Sequence, residues 1–163
     1  MEHKRTDRDL VIRRLLEVDQ EDINSHFRRL DTDSRRARFC GSINDAGIMR
    51  YVHSIFQRDS ILIGAFIDGQ LRGVAELRGV FHFWSLNAEA AFSVDPEWQS
   101  IGIGDALFER VLTMAQNRCV RSIRLIYLKE NTRMKHLAIK HGARLCFDHD
   151  MMEATLHLKL PMP

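Results

Sequence analysis

At 163 residues, with 45% hydrophobic and 28% charged side chains, the chain reads as one globular domain over residues 1–163. A net charge of +2 gives no reason to invoke nucleic acid or a membrane surface, and no window is apolar enough for a transmembrane helix. Three cysteines without C-x-x-C spacing argue against a disulfide framework or a zinc site; Cys40, Cys119 and Cys146 read as reduced, semi-buried thiols of a cytoplasmic protein that holds no metal.

Residues 10–18 mix β-branched and charged side chains and predict a first strand. Ile23, Phe27 and Leu30 then recur at helical spacing. Asp31-Thr32-Asp33-Ser34 is a polar break, and Ser42-Ile43-Asn44-Asp45 is a second cap signal before the stripe Ile48, Tyr51, Val52, Ile55 and Phe56. From Ser60 the pattern shortens: residues 61–67 form a buried-strand run, Asp68-Gly69 a hairpin turn, and 71–80 the returning strand. Residues 81–87 are an aromatic-rich connection in which Phe81, Phe83 and Trp84 are placed to line an acceptor pocket or to pack at an edge. A strand over 89–94 passes through Asp95-Pro96 into a loop with glycines at 102 and 104, and a helix over 103–118 buries Leu107, Val111, Met114 and Ala115. Residues 122–128 are nearly apolar throughout and predict a central strand covered on both faces. A helix over 131–141 turns Met134, Leu137 and Ala138 inward and stops at Gly142, and residues 152–160 alternate as a half-exposed strand.

The order is strand, two helices, hairpin, strand, helix, strand, helix, strand. A hairpin makes antiparallel neighbours and strand–helix–strand makes parallel ones, so the sheet is mixed. Ligands of such sheets bind where strands end and helices begin, which points to residues 94–104. Strand, glycine loop and helix start aim a row of N–H groups at an anion. A dinucleotide fingerprint is a poor match, because Leu107 stands at the third glycine position and a hairpin precedes the loop; the Gly-Lys-Ser/Thr of a triphosphate loop is absent.

Gln99-x-x-Gly102-x-Gly104 resembles the acetyl-CoA signature of the GNAT N-acetyltransferase superfamily. The lead-in Val94-Asp95-Pro96-Glu97-Trp98 and the later Asn131-x-x-Met134-x-x-Leu137-Ala138-x-Lys140-x-Gly142 resemble the same family, with Ala143 where phenylalanine is usual. Residues 38–52 and the strand at Ala88-Glu89 resemble the acetyltransferase domain of bacterial Pat-type protein lysine acetyltransferases. The resemblance implies an α/β fold with a mostly antiparallel sheet of about six or seven strands and about four helices, its parallel strand pair splayed at the acetyl-CoA site. It also implies acetyl-CoA as donor. Phe92, Ser93 and Val94 would lie along the pantetheine arm. Gln99, Ser100, Ile101, Gly102, Ile103, Gly104, Asp105 and Ala106 would surround the pyrophosphate, and Asn131 with Met134 would complete the cofactor site. Trp98 is expected to cover the turn.

Acetyl transfer to an amine needs a neutral nitrogen, and a lysine-like amine is unprotonated only about once in a few thousand molecules at pH 7. Glu89, the carboxylate inside an apolar strand, is the base candidate, its pKa raised by burial; the alternative is a structural glutamate paired with an arginine. Glu76 is the second choice. The Val94 N–H is the oxyanion donor that the family implies. Many members carry a tyrosine acid where this chain has Ala138; Tyr127 reads as core, and His136 and His141 as surface or cap residues. The expected activity is direct acetyl transfer to a primary amine, on a protein lysine or N-terminus or on a small molecule, with a homodimer left open. The rival is a non-catalytic acetyl-CoA-binding sensor or interaction module.

Overall fold

The computed structural model describes residues 9–79 and 86–159. Strand β1 (Leu10–Leu15) is followed by a 3-10 turn at Glu17–Asp19 and by three helices, α1 (Gln20–Arg29), α2 (Thr32–Phe39) and α3 (Asp45–Ile55). A hairpin of β2 (Ser60–Ile67) and β3 (Gln70–Arg78) comes next. The order then continues with β4 (Asn87–Val94), α4 (Ile103–Asn117), β5 (Ser122–Leu128), α5 (Thr132–Lys140), β6 (Arg144–Asp148) and β7 (Met151–His157).

The seven strands form one sheet in the order β1-β2-β3-β4-β5-β7-β6. Only β4 and β5 run parallel; the other neighbours are antiparallel. This is the mixed, mostly antiparallel sheet expected. Alternation along the central strands feeds two cores. On one face Ala75, Leu77, Ala90 and Phe92 meet Leu107, Phe108 and Val111 of α4. On the other, Leu62 and Val74 meet Ile23, Phe27, Ile48 and Val52 of α1 and α3.

Several expectations are corrected. The polar break at 31–34 separates two helices, because the Asp31 carboxylate accepts the Ser34 N–H at 2.8 Å and so starts α2. Three helices therefore precede the hairpin where two were expected. The first strand ends at Leu15, since Asp19 accepts the Leu16 N–H at 2.8 Å and turns the chain. Strand β5 is not covered on both faces: Arg124 is exposed and Ile126 is 38% exposed. Strand β6, a short and largely exposed edge with Phe147 at 54%, has no hydrophobic pattern to announce it. The three cysteines are exposed, not semi-buried, and Met114 is only partly buried. Phe81, Phe83 and Trp84 lie outside the described residues. Among the described residues no helix is long and apolar enough to cross a membrane, and no group of side chains is arranged to hold a metal ion.

Candidate functional site

Strands β4 and β5 are paired only where residues 87–89 meet 122–124. On its other side β4 stays paired with β3 as far as Val94 opposite Gly73, and the Asp95 N–H still donates to the Arg72 carbonyl at 2.8 Å. N–H groups alternate sides along such a ladder. With Asp95 facing β3, the N–H groups of Val94 and Phe92 face the gap that β5 leaves. Two peptide groups of a sheet edge are thus directed into open space inside the fold.

That gap opens into a groove of about 820 Å³. Phe92, Ser93 and Val94 line it, α2 supplies Ser34 and Arg38, and α5 with its capping residue supplies Asn131, Met134 and Lys140. Its far end is the loop before α4. Ser100 (φ 62°) and Gly102 (φ 96°) are left-handed while Ile101 between them is not, so successive residues alternate in hand, as in an anion-binding backbone nest. A Cβ at Gly102 would meet nothing within 4 Å, so glycine is demanded there by conformation and not by space. Gly104 is helical, and its Cβ would meet only Leu137 at 3.9 Å. Any side chain there would stand in the groove that Gly104 lines.

The Ala106 N–H donates to the Gly102 carbonyl at 3.0 Å, so the cradle stops one residue short of Ala106. The N–H groups of Ile103, Gly104 and Asp105 precede that first bond and have no partner inside the helix. Ile101 points outward at 44% exposure and Ile103 is buried in the core, so both contribute backbone only. The Asp105 carboxylate is held below its ordinary pKa by hydrogen bonds from Lys140 at 2.5 Å and His141 at 2.8 Å. Arg36, Arg133 and Lys140 bring positive charge to the groove walls.

Gln99 is a brace. Its amide donates to the Val94 carbonyl at 3.0 Å and to Ser34 at 3.2 Å, and its oxygen accepts from Arg133. Asn131 caps α5, accepting the Met134 N–H at 3.1 Å. Trp98 lies under the loop in the core, 9% exposed, with the Arg72 guanidinium 5.1 Å from its ring. Tyr127 is core, 2% exposed.

Neither candidate carboxylate lines the groove. Glu76 is fully buried between Arg38 at 2.9 Å and Arg78 at 2.8 Å, with further bonds from Tyr51 and from Ser60 at 3.1 Å. Burial alone would raise its pKa, but the two arginines and these hydrogen bonds hold it below the ordinary glutamate value. Glu89 is not buried as expected: its side chain is 34% exposed and faces Arg124 across the parallel pair at 3.4 Å.

A second polar cluster on the same sheet face does reach the groove. Ser93 Oγ lies 2.8 Å from His26 Nε2, and His26 Nδ1 lies 2.7 Å from Asp95 Oδ1. Arg29 at 3.0 Å and Arg72 at 3.2 Å hold the other Asp95 oxygen. Burial pushes the Asp95 pKa up, and the hydrogen bonds and charges of His26 and Arg29 bring it below its ordinary value. Burial lowers the His26 pKa against the pull of Asp95. Reading the sequence singled out Ser93 for its backbone and passed over His26.

Residues 20–143 match the model of the Acetyltransferase (GNAT) family. Among solved structures, the GNAT domain of PAT from S. lividans is similar with a TM-score of 0.77 at 19% identity, covering 93% of this chain and 97% of that one. The PaiA N-acetyltransferase from Thermoplasma acidophilum, in complex with coenzyme A, gives 0.70 at 19% identity over 92% and 99%. YncA from Salmonella typhimurium, a putative acetyltransferase with acetyl-CoA, gives 0.70 at 14% over 95% and 97%. At these identities the likeness is one of fold. No curated protein matches by sequence.

Proposed function

The chain belongs to the GNAT family of acetyltransferases, and on that premise we propose that it moves acetyl from acetyl-CoA to a primary amine by direct attack. One observation carries this reading: the unpaired edge of β4 and the nest at the start of α4 lie in one continuous groove. Coenzyme A has the matching composition, a peptide-like arm ending in a pyrophosphate. The solved neighbours that hold coenzyme A or acetyl-CoA support the same assignment.

In this reading the N–H groups of Ile103, Gly104 and Asp105, with those of the nest, take the pyrophosphate. Arg36, Arg133 and Lys140 offset its charge, and Phe92, Ser93 and Val94 offer the sheet edge to the arm. Gln99, Ser100, Asn131 and Met134 shape the groove around it. The Val94 N–H donates to the oxygen on which charge develops. Glu89, at the exposed side of β4, takes the first proton of the arriving ammonium through water. Glu76 does not act as the base, because two arginines stabilise its charged form. The acceptor is an amine of a protein or of a small molecule.

The test separates binding from transfer. Titration calorimetry with coenzyme A on the wild type and on Gly104→Leu should show affinity falling at least about tenfold in the variant. Stability should be unchanged or slightly raised, since leucine is the better helix former. Mass spectrometry of lysine peptides, free N-terminal peptides and small amines incubated with acetyl-CoA then reads transfer. No binding at millimolar coenzyme A overturns the reading. Binding without transfer to any amine makes the chain a sensor or interaction module.

A further inference from the structure

Converting an ammonium and a thioester to an amide and a thiol releases two protons from nitrogen. The first leaves before attack, the step proposed above for Glu89 through water. The second leaves once nitrogen has bonded to the acetyl carbon, and its acceptor must touch the reacting atoms. Neither Glu76 nor Glu89 lines the groove, whereas Ser93 does. Ser93 also neighbours Val94, whose N–H faces the same gap, so hydroxyl and oxyanion donor are adjacent in the chain.

Behind the Ser93 hydroxyl stands an imidazole and behind that a carboxylate, at 2.8 and 2.7 Å. Asp95 as a carboxylate can only accept, so His26 carries its hydrogen on Nδ1 and leaves Nε2 as the acceptor for Ser93. The Val74 carbonyl, at 3.5 Å, is the weaker alternative partner of that hydroxyl. His26 is fully buried, so the only route from its Nε2 toward the groove among the described residues runs through Ser93. The charged groups around it are Asp95, which favours an imidazolium, and Arg29 and Arg38, which oppose it.

We propose that Ser93, His26 and Asp95 form a proton relay that removes the second proton from the attacking nitrogen and returns it to the departing thiolate. This rests on the groove being an acetyl-CoA site. As the nitrogen–carbon bond forms, the nitrogen gives a proton to Ser93 Oγ while the Ser93 hydrogen passes to His26 Nε2. The carbon–sulfur bond then breaks and its electron pair leaves on sulfur. The imidazolium hands its proton back through Ser93 to the thiolate, and the relay ends as it began. Ser93 is the catalytic residue, and His26 and Asp95 act through it. The relay also supplies the acid that Ala138 cannot.

A merely structural role for the cluster, pinning α1 to the end of β4, would not involve protons in flight. The test compares wild type, Ser93→Ala and Ser93→Thr, with a lysine peptide and with hydroxylamine, which is small enough to enter without a dedicated pocket. Ser93→Ala should bind coenzyme A within about threefold of wild type and lose about 100-fold or more in kcat. Ser93→Thr, which keeps the hydroxyl, should recover most of that loss. In mixed light and heavy water the wild-type rate should curve with deuterium content, as for more than one moving proton, and Ser93→Ala should turn it linear. If wild type transfers acetyl and Ser93→Ala keeps kcat within threefold, the relay alone falls. If wild type binds coenzyme A but transfers neither to these acceptors nor to any amine of the panel above, the transfer reading falls and takes the relay with it. If Ser93→Ala does not fold, the wild-type and Ser93→Thr rates decide, and a linear dependence in both overturns the relay.

Discussion

Glu76 and Asp95 are two buried carboxylates on the same face of the sheet, each facing arginines, and they end differently. Around Glu76 the partners are Arg38, Arg78, Tyr51 and Ser60. Arginine cannot deprotonate, and Tyr51 is pushed above its ordinary pKa by burial and by the negative charge beside it. Nothing in that cluster exchanges a proton near neutrality. Around Asp95 one oxygen is given to Arg29 and Arg72 and the other to His26, which bonds the hydroxyl of Ser93, a residue that lines the groove. Similar burial and similar charge yield a brace in one place and a proton path in the other. What decides is the titratable group between the carboxylate and the groove.

The largest effect that tests this contrast is on stability. Removing Glu76 leaves the Arg38 side chain, 3% exposed, without its counter-ion. Breaking a buried pair from one side costs about 3–5 kcal/mol. Urea unfolding of Glu76→Ala should show a loss of that size. A loss below about 1 kcal/mol would mean that the cluster relaxes, and the contrast with Asp95 would weaken.

Acid sharpens the contrast, because the two clusters respond in different windows. His26 has a folded pKa below its unfolded value of about 6.5. Its contribution is complete above that pH and is lost as pH falls below it. Glu76 is also depressed, relative to an unfolded value of about 4.3, so its contribution persists to lower pH and fails only there. Each group changes stability by at most about 1.4 kcal/mol per pH unit. Urea midpoints from pH 8 to pH 3 should fall in two steps. His26→Gln should flatten the upper step and Glu76→Gln the lower one. If His26→Gln leaves the upper step intact, another group carries it.

The glycine loop was legible because its chemistry is local: conformation, spacing and a helix start are all written within residues 99–104. The element order was legible for the same reason, except where pattern is silent, as at the exposed edge β6. The two polar clusters were not legible, since each joins residues far apart in the chain: His26 to Asp95 spans 69 positions, and Arg38 to Glu76 spans 38. A signal for His26 existed. It falls three residues after Ile23 and directly before Phe27, on the apolar stripe of α1, where a polar side chain must find a buried partner. Its partner depended on how α1 crosses the end of β4, and no local rule supplies that. The expected burial of Glu89 failed in a simpler way. An apolar neighbourhood in sequence suggested burial, but β5 ends its cover of that strand at Arg124 and leaves the side chain half open.

The smallest expected effect on stability belongs to Glu89, and it separates the two proton steps. Its pair with Arg124 is partly exposed on both sides, at 34% and 50%, and such pairs are worth about 0–1 kcal/mol once solvent screening is counted. Glu89→Gln should therefore unfold within about 1 kcal/mol of wild type. Its effect on rate should depend on pH in a way that Ser93→Ala does not share. If Glu89 removes the proton of the arriving ammonium, the deficit in kcat/KM is largest near neutrality. It should shrink as pH rises toward the amine pKa of about 10.4, where solution has already removed that proton. Loss of the Ser93 hydroxyl affects a proton that leaves only after nitrogen has attacked, so that deficit should persist across the same range. Rates of both variants from pH 7 to pH 10 on one lysine peptide decide the matter. Parallel deficits would assign both residues to a single step and dissolve the division of labour between Glu89 and Ser93.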